Sequence, residues 1–370
     1  MISIQKIQIR INKFLRNLFF HLIFWESSFL FYTFLTGENQ IFKLYFELLN
    51  VDSIYIAPAF IAAATSIIFT FLDIIFTDRV QRFFPIQITI ILKSILYIIS
   101  VFVVILITAK SPITVFSSGN YKDLLHELPI MNIHFIRFLI YFYLSTFFNS
   151  FIKGMIKKIG RANFRNWILG LLNKPREQER IFMFIDMKDS TKIAEELMHK
   201  KFSHLVQDVF NDIAIVDNYR GEIYQYLGDG AIISWDLKNG LKRNNFLKAF
   251  FAFKKVIKKR KRYYKRKYNR IPQFKAGIQV GKVMVLQVGQ IRKDISYNGD
   301  TLNTAARIES KCNEYGELLI SSDLYNILTD KTEYKFTIKE NIKLKGKKKG
   351  IDIYKVSQKN TKKQKQKKKK

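Results

Sequence analysis

The first 152 residues and the remainder of the chain follow different patterns of hydrophobic and polar positions. The first part consists mainly of long apolar runs with few charges, at about 17–36, 54–77, 85–109 and 132–152. Each run has roughly the twenty residues that a helix needs to cross about 30 Å of hydrocarbon. The pattern therefore predicts an N-terminal four-helix transmembrane domain over residues 1–152.

Basic residues at the ends of these runs predict their orientation. Eleven Lys or Arg residues lie on the side of the N-terminus, within 6–16, 79–82 and 153–165, against three on the other side, at 43, 110 and 122. Short loops rich in Lys and Arg stay in the cytoplasm. We therefore expect a multi-pass protein of the inner cell membrane whose N-terminus and C-terminal part are cytoplasmic. No small-residue cleavage site follows the first run, which argues against a cleaved signal peptide.

Glu26, Lys93 and Arg137 are charged residues that fall inside the apolar runs. Each costs about 2.5–3.5 kcal/mol at the centre of a bilayer. Lys93 and Arg137 lie within a few turns of a run's end, so their long side chains are expected to reach the interface. Glu26 is too short to do so and is expected to be protonated or paired inside the bundle, with Lys93 or His21 as candidate partners.

Residues 153–180 read as a cytoplasmic linker, basic at first and broken at Pro175. Within it, Trp167, Ile168, Leu171 and Leu172 fit an amphipathic helix. Such a helix suits a surface of anionic lipid and a dimer contact equally well.

From residue 181 the pattern alternates between short strand-like and longer helix-like segments. Strands are predicted at 181–186, at 222–235 as a hairpin, at 273–280 and 282–288 on either side of Gly281, at 317–321, and as a pair around 334–356. Helices are predicted through about 217, from about 244 to 268, and from Thr301. This β-α-β-β-α-β order predicts an α/β ferredoxin-like domain over 181–356.

The net charge of +32 is concentrated in two stretches: 253–270 holds eleven Lys or Arg, and 341–370 holds fourteen Lys and one Asp. Apolar residues recur at helical spacing from the turns just before the first stretch to its end, at Phe246, Phe250, Phe253, Ile257, Tyr264 and Tyr268. Its charges are therefore expected to form one solvated helix face, and nucleic-acid binding is disfavoured. Residues 357–370 are expected to be a disordered Lys-rich tail. The single cysteine, Cys312, excludes an intramolecular disulfide.

Two carboxylates follow strand-like segments. Asp186 ends the apolar run that starts at Ile181, and Asp229 lies in a Gly-Asp-Gly turn between two strands. Carboxylates presented from the ends of adjacent strands suit a pair of divalent cations that holds phosphate oxygens. The alternative is that Asp186 caps a helix and Asp229 only makes a turn.

Several motifs, in order, resemble the class III adenylate and guanylate cyclases over about 180–356. Two resemble the family's metal motifs: Phe184-Ile185-Asp186 followed by Ser190-Thr191, and Leu227-Gly228-Asp229. Three further segments resemble its strand-turn, its transition-state helix and its late phosphate-binding loop: 276–281, 297–308 and 344–347.

The resemblance implies a catalytic set of residues. Asp186 and Asp229 would bind two Mg²⁺ or Mn²⁺ ions per site. Asn303 and Arg307 are four residues apart on one helix face; the Asn would orient the ribose and the Arg would stabilise charge on phosphate. Lys345 would bind phosphate. In this family one catalytic domain supplies the aspartates and the other the Asn and Arg, so a homodimer with two sites is implied.

The residues at the base-reading positions depart from the family's usual pairs. Gln225, four residues before Asp229, stands where adenylate cyclases commonly have Lys and guanylate cyclases Glu, and Ser296 stands where Asp or Cys is usual. Strand alternation would place Gln225 and Asp229 on one face of the sheet. A Gln side chain both donates and accepts, so this pair leaves the purine undecided.

The resemblance thus implies a membrane-bound cyclase that converts ATP to cyclic AMP and pyrophosphate. The alternatives are a guanylate or dual-specificity cyclase, a catalytically silent cyclase-like signalling domain, and a basic membrane protein that binds nucleic acid or lipid. The silent domain is disfavoured because both aspartates and Arg307 are present.

Overall fold

The computed structural model describes residues 2–36, 56–79, 84–109, 133–172, 174–291, 293–342 and 350–359. The chain divides into two compact units, Met1–Lys158 and Ile159–Lys370, and each has an apolar core of its own. Residues 37–55, 110–132, 343–349 and 360–370 lie outside the described residues.

The first unit is built from four helices: α1 (Ile2–Thr36), α2 (Ile56–Arg79), α3 (Ile86–Ala109) and α4 (Ile133–Ile159). Each overlaps one of the four apolar runs, although α1 begins well before its run at 17–36, so the helices themselves are confirmed. Within the described ranges, one segment is long and apolar enough to cross a membrane, Phe14–Thr36; two shorter apolar segments are Ala59–Ile74 and Gln87–Val101. Spanning by all four helices therefore stays a prediction.

The interior of this unit is aromatic, with Trp25, Phe69, Tyr97 and Phe142 in mutual ring contact. Large apolar side chains also point outward from every helix, among them Phe19, Phe34, Phe60, Ile67, Ile95, Ile99, Leu144 and Phe148. The two candidate partners suggested for Glu26 are engaged elsewhere. His21 and Lys93 both contact Asp73 of α2 instead, because a carboxylate near the end of one apolar run meets them across the bundle.

The second unit begins with α5 (Arg161–Ile168). Its further helices are α6 (Ser190–Ile213), α7 (Leu237–Leu241), α8 (Asn245–Lys259), α9 (Lys261–Tyr268), α10 (Asp300–Ser310), α11 (Cys312–Tyr315) and α12 (Ser322–Asn326). Its strands are β1 (Arg176–Met187), β2 (Glu222–Leu227), β3 (Gly230–Asp236), β4 (Phe274–Val288), β5 (Asp294–Asn298), β6 (Leu318–Ser321), β7 (Tyr334–Ile342) and β8 (Ile351–Gln358).

The strands form one sheet in the order β2-β3-β1-β4-β6-β8-β7, with β5 paired to β4. The first four strands, in the order 2-3-1-4 and antiparallel, have the ferredoxin-like arrangement that the sequence predicts. Two details differ from the prediction. The strands expected on either side of Gly281 are one strand, because β1 pairs with it continuously from Phe274 to Val285. Strand β5 is not predicted by the sequence pattern.

The sheet separates two apolar layers. Alternate residues of β1, including Ile181, Met183 and Ile185, pack with α6, α8 and α9. The intervening residues face the other way, where Phe182 packs with Val283, Tyr297 and Ala305. This alternation places Asp186 on the second face, the side covered by α10.

The basic stretch 253–270 forms the end of α8 and all of α9. The six apolar positions predicted to face the core are each at most 5% exposed. Two aspartates of α6 hold α9: Tyr264 donates to Asp212 at 2.7 Å and Tyr268 donates to Asp208 at 2.5 Å. The prediction that the charges lie on one solvated face is confirmed.

Candidate active site

Asp186 is the next-to-last residue of β1, and its carboxylate is partly exposed. Lys275 lies opposite it on β4. The Lys275 Nζ atom is 3.5 Å from Asp186 Oδ2 and 3.0 Å from Glu309 Oε1 of α10; the second contact is an ion pair without hydrogen-bond geometry. Burial raises the pKa of Asp186 to about 6, helped by Asp229 and Glu309 and opposed by Lys275. The protein therefore accumulates negative charge here that one lysine does not balance.

Asp229 lies in the two-residue turn between β2 and β3, which is closed by the pairing of Leu227 with Gly230. Gly228 has a φ of 57°, a conformation that favours glycine. Gly230 approaches β1 closely, since a Cβ atom there would lie 2.7 Å from the Ile185 carbonyl oxygen. The hairpin tip therefore rests on the end of β1. The buried Oδ2 atom of Asp229 has no hydrogen-bond partner among the described residues.

These observations bring the two predicted metal ligands together. Among the residues that the structure describes, no group of three or more His, Cys, Asp or Glu side chains is arranged to hold a metal ion. Asp186 and Asp229 offer two carboxylates, with Glu309 near Asp186 on the far side of Lys275, and a cation held by the two aspartates would need further oxygens from a bound phosphate.

Asn303 and Arg307 lie on α10, as predicted. The helix is seated closely on β4: a Cβ atom on Gly277 would lie 2.1 Å from the backbone nitrogen of Glu309. Thr304 and Ala305 are buried in this contact, which agrees with the expected role of small residues. The side chains of Asn303 and Arg307 have no hydrogen-bond or ion-pair partner in the described part of the chain, and both are at least partly exposed.

Gln225 is exposed on β2 and pairs with Ile232, just after a bulge at Tyr224. Asp229 lies beyond the last residue of this strand, so the alternation argument that would place both on one face does not apply. Ser296 lies on β5 and donates to Asn298 Oδ1 at 3.0 Å. Within the described residues no contact joins Gln225 to Ser296. Lys345 lies outside them.

Two charged residues at the site, Lys275 and Glu309, are not predicted by the sequence. The register of β1 with β4 places Lys275 opposite Asp186. The close packing of α10 on Gly277 brings Glu309 to the same point. Neither pairing follows from spacing in the sequence, because both depend on contacts between distant segments.

A family model described as "Adenylate and Guanylate cyclase catalytic domain" matches residues 172–358. The chain belongs to this family. The match contains both aspartates, Asn303 and Arg307, and it starts at Leu172, a buried residue of the second unit. The predicted resemblance to class III cyclases is confirmed.

Two curated relatives of this cyclase come from Rhizobium meliloti (strain 1021). Adenylate cyclase 2 is 30% identical over 176 residues, which cover 47% of this chain and 48% of that protein. Adenylate cyclase 1 is 26% identical over 185 residues, 48% of this chain and 27% of that protein. The cyclase thus spans half or less of the length of these relatives.

Similar solved structures are the adenylyl cyclase CyaB from P. aeruginosa and the guanylate cyclase domain of RhGC from Catenaria anguillulae in complex with GTP. The first is 22% identical, covers 51% of this cyclase and 98% of that chain, and has a TM-score of 0.46. The second is 18% identical, covers 50% and 100%, and has a TM-score of 0.42.

Proposed function

We propose that this protein is a membrane-tethered adenylate cyclase that converts ATP to 3′,5′-cyclic AMP and pyrophosphate. The observation that carries the proposal is the meeting of Asp186 and Asp229 at one edge of the sheet, with an unpartnered carboxylate oxygen on Asp229 and a raised pKa on Asp186. Both features are typical of carboxylates that bind a cation. Family membership and the names of the two relatives support the reaction.

The donor set fits divalent metal ions. Mg²⁺ and Mn²⁺ prefer carboxylate, carbonyl and phosphate oxygens and commonly take one or two carboxylates from the protein and the rest from substrate and water. Asp186 and Asp229 supply two carboxylates. When bound, such ions lower the pKa of the attacking ribose hydroxyl and neutralise charge on the phosphates. Lys275 already stands beside Asp186 as a fixed positive charge.

The remaining residues act on the nucleotide. In the proposed reaction the ribose 3′-oxygen attacks the α-phosphorus in line and the bond to pyrophosphate breaks, so negative charge moves onto the phosphate oxygens. A free guanidinium at Arg307 suits these oxygens because its donors form a planar fork. Asn303, one turn earlier on the same face, orients the ribose, and Lys345 binds the departing phosphates.

We further propose that the active sites are shared between two copies of the chain. The side chains of Asn303 and Arg307 have no described contact with Asp186 or Asp229 within one chain, although all four are accessible. A symmetric dimer presents the helix of one copy to the aspartates of the other and repeats this at a second site.

For the purine, we propose ATP as the main substrate with detectable turnover of GTP. Gln225 and Ser296 are exposed or partly exposed and carry no net charge. An amide and a hydroxyl each donate and accept, so they impose a smaller penalty on the wrong base than a fixed charge does.

We propose that the first unit anchors the cyclase in the inner membrane through four spans with both termini cytoplasmic. The apolar helix segment Phe14–Thr36 supports this, as does the surface of the unit, on which large apolar side chains such as Phe34 and Phe148 are exposed. The lipid bilayer and a second copy of the chain are the partners implied.

The test is to purify the full chain, incubate it with ATP or GTP and Mn²⁺, and identify the cyclic product. Cyclic AMP is expected from ATP, and an Asp186→Ala variant should form none. A product other than a cyclic nucleotide, or undiminished activity of the variant, would exclude the proposed reaction.

A further inference from the structure

The eleven Lys and Arg residues of the stretch 253–270 fall into two groups in the structure. Four are paired with carboxylates of other segments: Lys254 with Glu317, Arg260 with Asp212, Lys267 with Asp208 and Arg270 with Glu196. The other seven are exposed and make no ion pair within the described part of the chain: Lys255, Lys258, Lys259, Lys261, Arg262, Lys265 and Arg266. We call these seven residues the basic surface.

Negative charge is scarce around the basic surface. The sequence has no Asp or Glu within 237–293, and the aspartates of α6 that reach α9 are already paired. Within α9, Lys265 lies four residues after Lys261, and Arg266 four residues after Arg262, so like charges repel each other along the helix. Seven unbalanced cations therefore face solvent from one pair of helices, and an anionic partner would relieve their repulsion.

The helices that carry the basic surface are fixed on the catalytic unit by their opposite, apolar face. In α8 and α9, which the structure describes in full, no large apolar side chain is exposed. A helix that lies in a membrane interface buries such side chains in the acyl region, and these two helices have none to offer. The basic surface can therefore bind a partner through charge alone, at the level of its headgroups or phosphates.

The tyrosines of α9 point away from solvent. Tyr263 and Tyr268 donate to Asp208, and Tyr264 donates to Asp212. None of the three is exposed, and their rings lie against basic side chains of the same two helices. Proteins that bind single-stranded nucleic acid stack its bases on accessible aromatic rings. The basic surface lacks such rings, which favours a partner that presents phosphate without bases.

We propose that the basic surface binds the anionic phospholipid headgroups of the membrane that anchors the chain. Clusters of about four to eight Lys or Arg on an amphipathic helix are typical of such binding, and each one near the surface favours it by about fivefold. This inference rests on the proposed membrane tether. The tether keeps the catalytic unit within a linker's length of one leaflet, which raises the effective concentration of lipid at the basic surface.

The experiment uses the full chain in two kinds of lipid nanodisc, one of phosphatidylcholine alone and one with an equal part of phosphatidylglycerol. Exposed lysines are acetylated with a limiting amount of reagent, and the modified peptides are quantified. The rates at Lys255, Lys259 and Lys261 are divided by the rate at Lys282 in the same sample. Lys282 is a suitable reference because it lies on β4 and its side chain is 71% exposed.

Two triple variants with the same change in net charge are compared with the wild type. The first neutralises three residues of the basic surface and leaves the three reporter lysines in place: Lys258→Gln, Arg262→Gln and Lys265→Gln. The second is the matched control and neutralises three exposed lysines outside the basic surface: Lys238→Gln, Lys242→Gln and Lys335→Gln.

In the wild type, the relative rates of acetylation should be about fivefold or more lower in the anionic disc than in the neutral disc at about 0.15 M salt. The difference should vanish at about 1 M salt, where charges are screened beyond about 3 Å. Loss of three cations weakens the association on the order of a hundredfold, so the first variant should react alike in both discs. The control variant should behave as the wild type does.

Equal rates in both discs for the wild type, or equal loss of protection in the two variants, would overturn the proposal. Protection that persists at about 1 M salt would also overturn it, because binding would then not be electrostatic. Mixed-sequence RNA added to the neutral disc tests the other polyanion: stronger protection by RNA than by phosphatidylglycerol at the same salt assigns the surface to nucleic acid instead.

This readout separates the basic surface from the proposed function because it needs no catalysis. Salt-sensitive protection in a chain that forms no cyclic nucleotide supports the basic surface and counts against the proposed reaction. A chain that stays monodisperse in buffer without lipid or detergent counts against the tether. Vesicles of the same two lipid compositions then replace the discs, and equal acetylation rates with both would overturn the proposal.

Discussion

Asp186→Asn should abolish cyclisation and yet stabilise the metal-free catalytic unit at neutral pH. In the folded protein, burial raises the pKa of this carboxyl from 3.8 to about 6, with Asp229 and Glu309 adding to the rise and Lys275 opposing it. A carboxyl whose folded pKa is raised favours folding fully below its ordinary pKa and loses that contribution as the pH rises through about 6. At pH 7.5 the charged Asp186 is therefore a cost that asparagine does not carry.

The size of the effect follows from the shift and the exposure. A rise from 3.8 to about 6 corresponds to about 3 kcal/mol between the two protonation states. The side chain is 35% exposed, so water screens part of it and about 1–2 kcal/mol is a better expectation. For a unit of roughly 200 residues this raises Tm by about 2–8 °C.

The assay is thermal unfolding of residues 159–370 in EDTA, followed by circular dichroism at pH 4, 6 and 7.5. The Tm of Asp186→Asn should lie close to that of the wild type at pH 4 and exceed it clearly at pH 7.5. Asp208→Asn is the matched control with the opposite sign. Burial tends to raise the pKa of Asp208, but hydroxyl donation from Tyr263 and Tyr268 outweighs it and lowers that pKa, so this variant should lose stability at pH 7.5.

Adding Mg²⁺ and nucleotide should raise the Tm of the wild type above that of Asp186→Asn, because ligands that bind only the folded state stabilise it by mass action. The wild type should gain in Tm and Asp186→Asn should gain less. If the Tm of Asp186→Asn at pH 7.5 in EDTA is equal to or lower than that of the wild type, the charged Asp186 carboxylate does not destabilise the folded unit and the reasoning is wrong.

Three further outcomes are expected. Gly277→Ala should lose about 3 kcal/mol or more in denaturant unfolding, because its Cβ atom would meet helix backbone that cannot move aside; a loss below about 1 kcal/mol would contradict the close seating of α10. Mixing Asp229→Ala with Arg307→Ala protein should recover part of the cyclase activity through mixed dimers. If mixed dimers are detected but have no activity, the result argues against shared sites. Gln225→Glu should shift kcat/KM toward GTP, since a carboxylate only accepts; an ATP preference above about a thousandfold that the substitution leaves unchanged would exclude base reading by this residue.

Periodicity in the sequence predicts the order and type of most of the helices and strands. The long apolar runs predict the four helices of the first unit. The alternation of short apolar strands with amphipathic helices predicts the ferredoxin-like order of the first four strands. The sequence also predicts the buried stripe from Phe246 to Tyr268. These features are local, because periodicity along a segment reports which of its faces is buried whatever it packs against.

The sequence also located Asp186 and Asp229 as neighbours, since both end strands that the fold class places side by side. Their chemistry was less visible. The raised pKa of Asp186 depends on the depth of burial and on Glu309, which α10 brings from a distant part of the chain. No periodicity records such a contact.

Tertiary structure alone decided which buried charges meet. The apolar runs singled out Glu26 because it stands near the middle of one, and passed over Asp73 near the end of another. Across the bundle it is Asp73 that contacts His21, Lys93 and Lys153. Likewise β5 was missed because it is only five residues long, with one buried side chain, Tyr297, and is held by pairing with β4. In both cases the stabilising contacts join residues that are far apart in the chain. Such contacts form only when the helices and strands pack together, so local patterns in the sequence do not predict them.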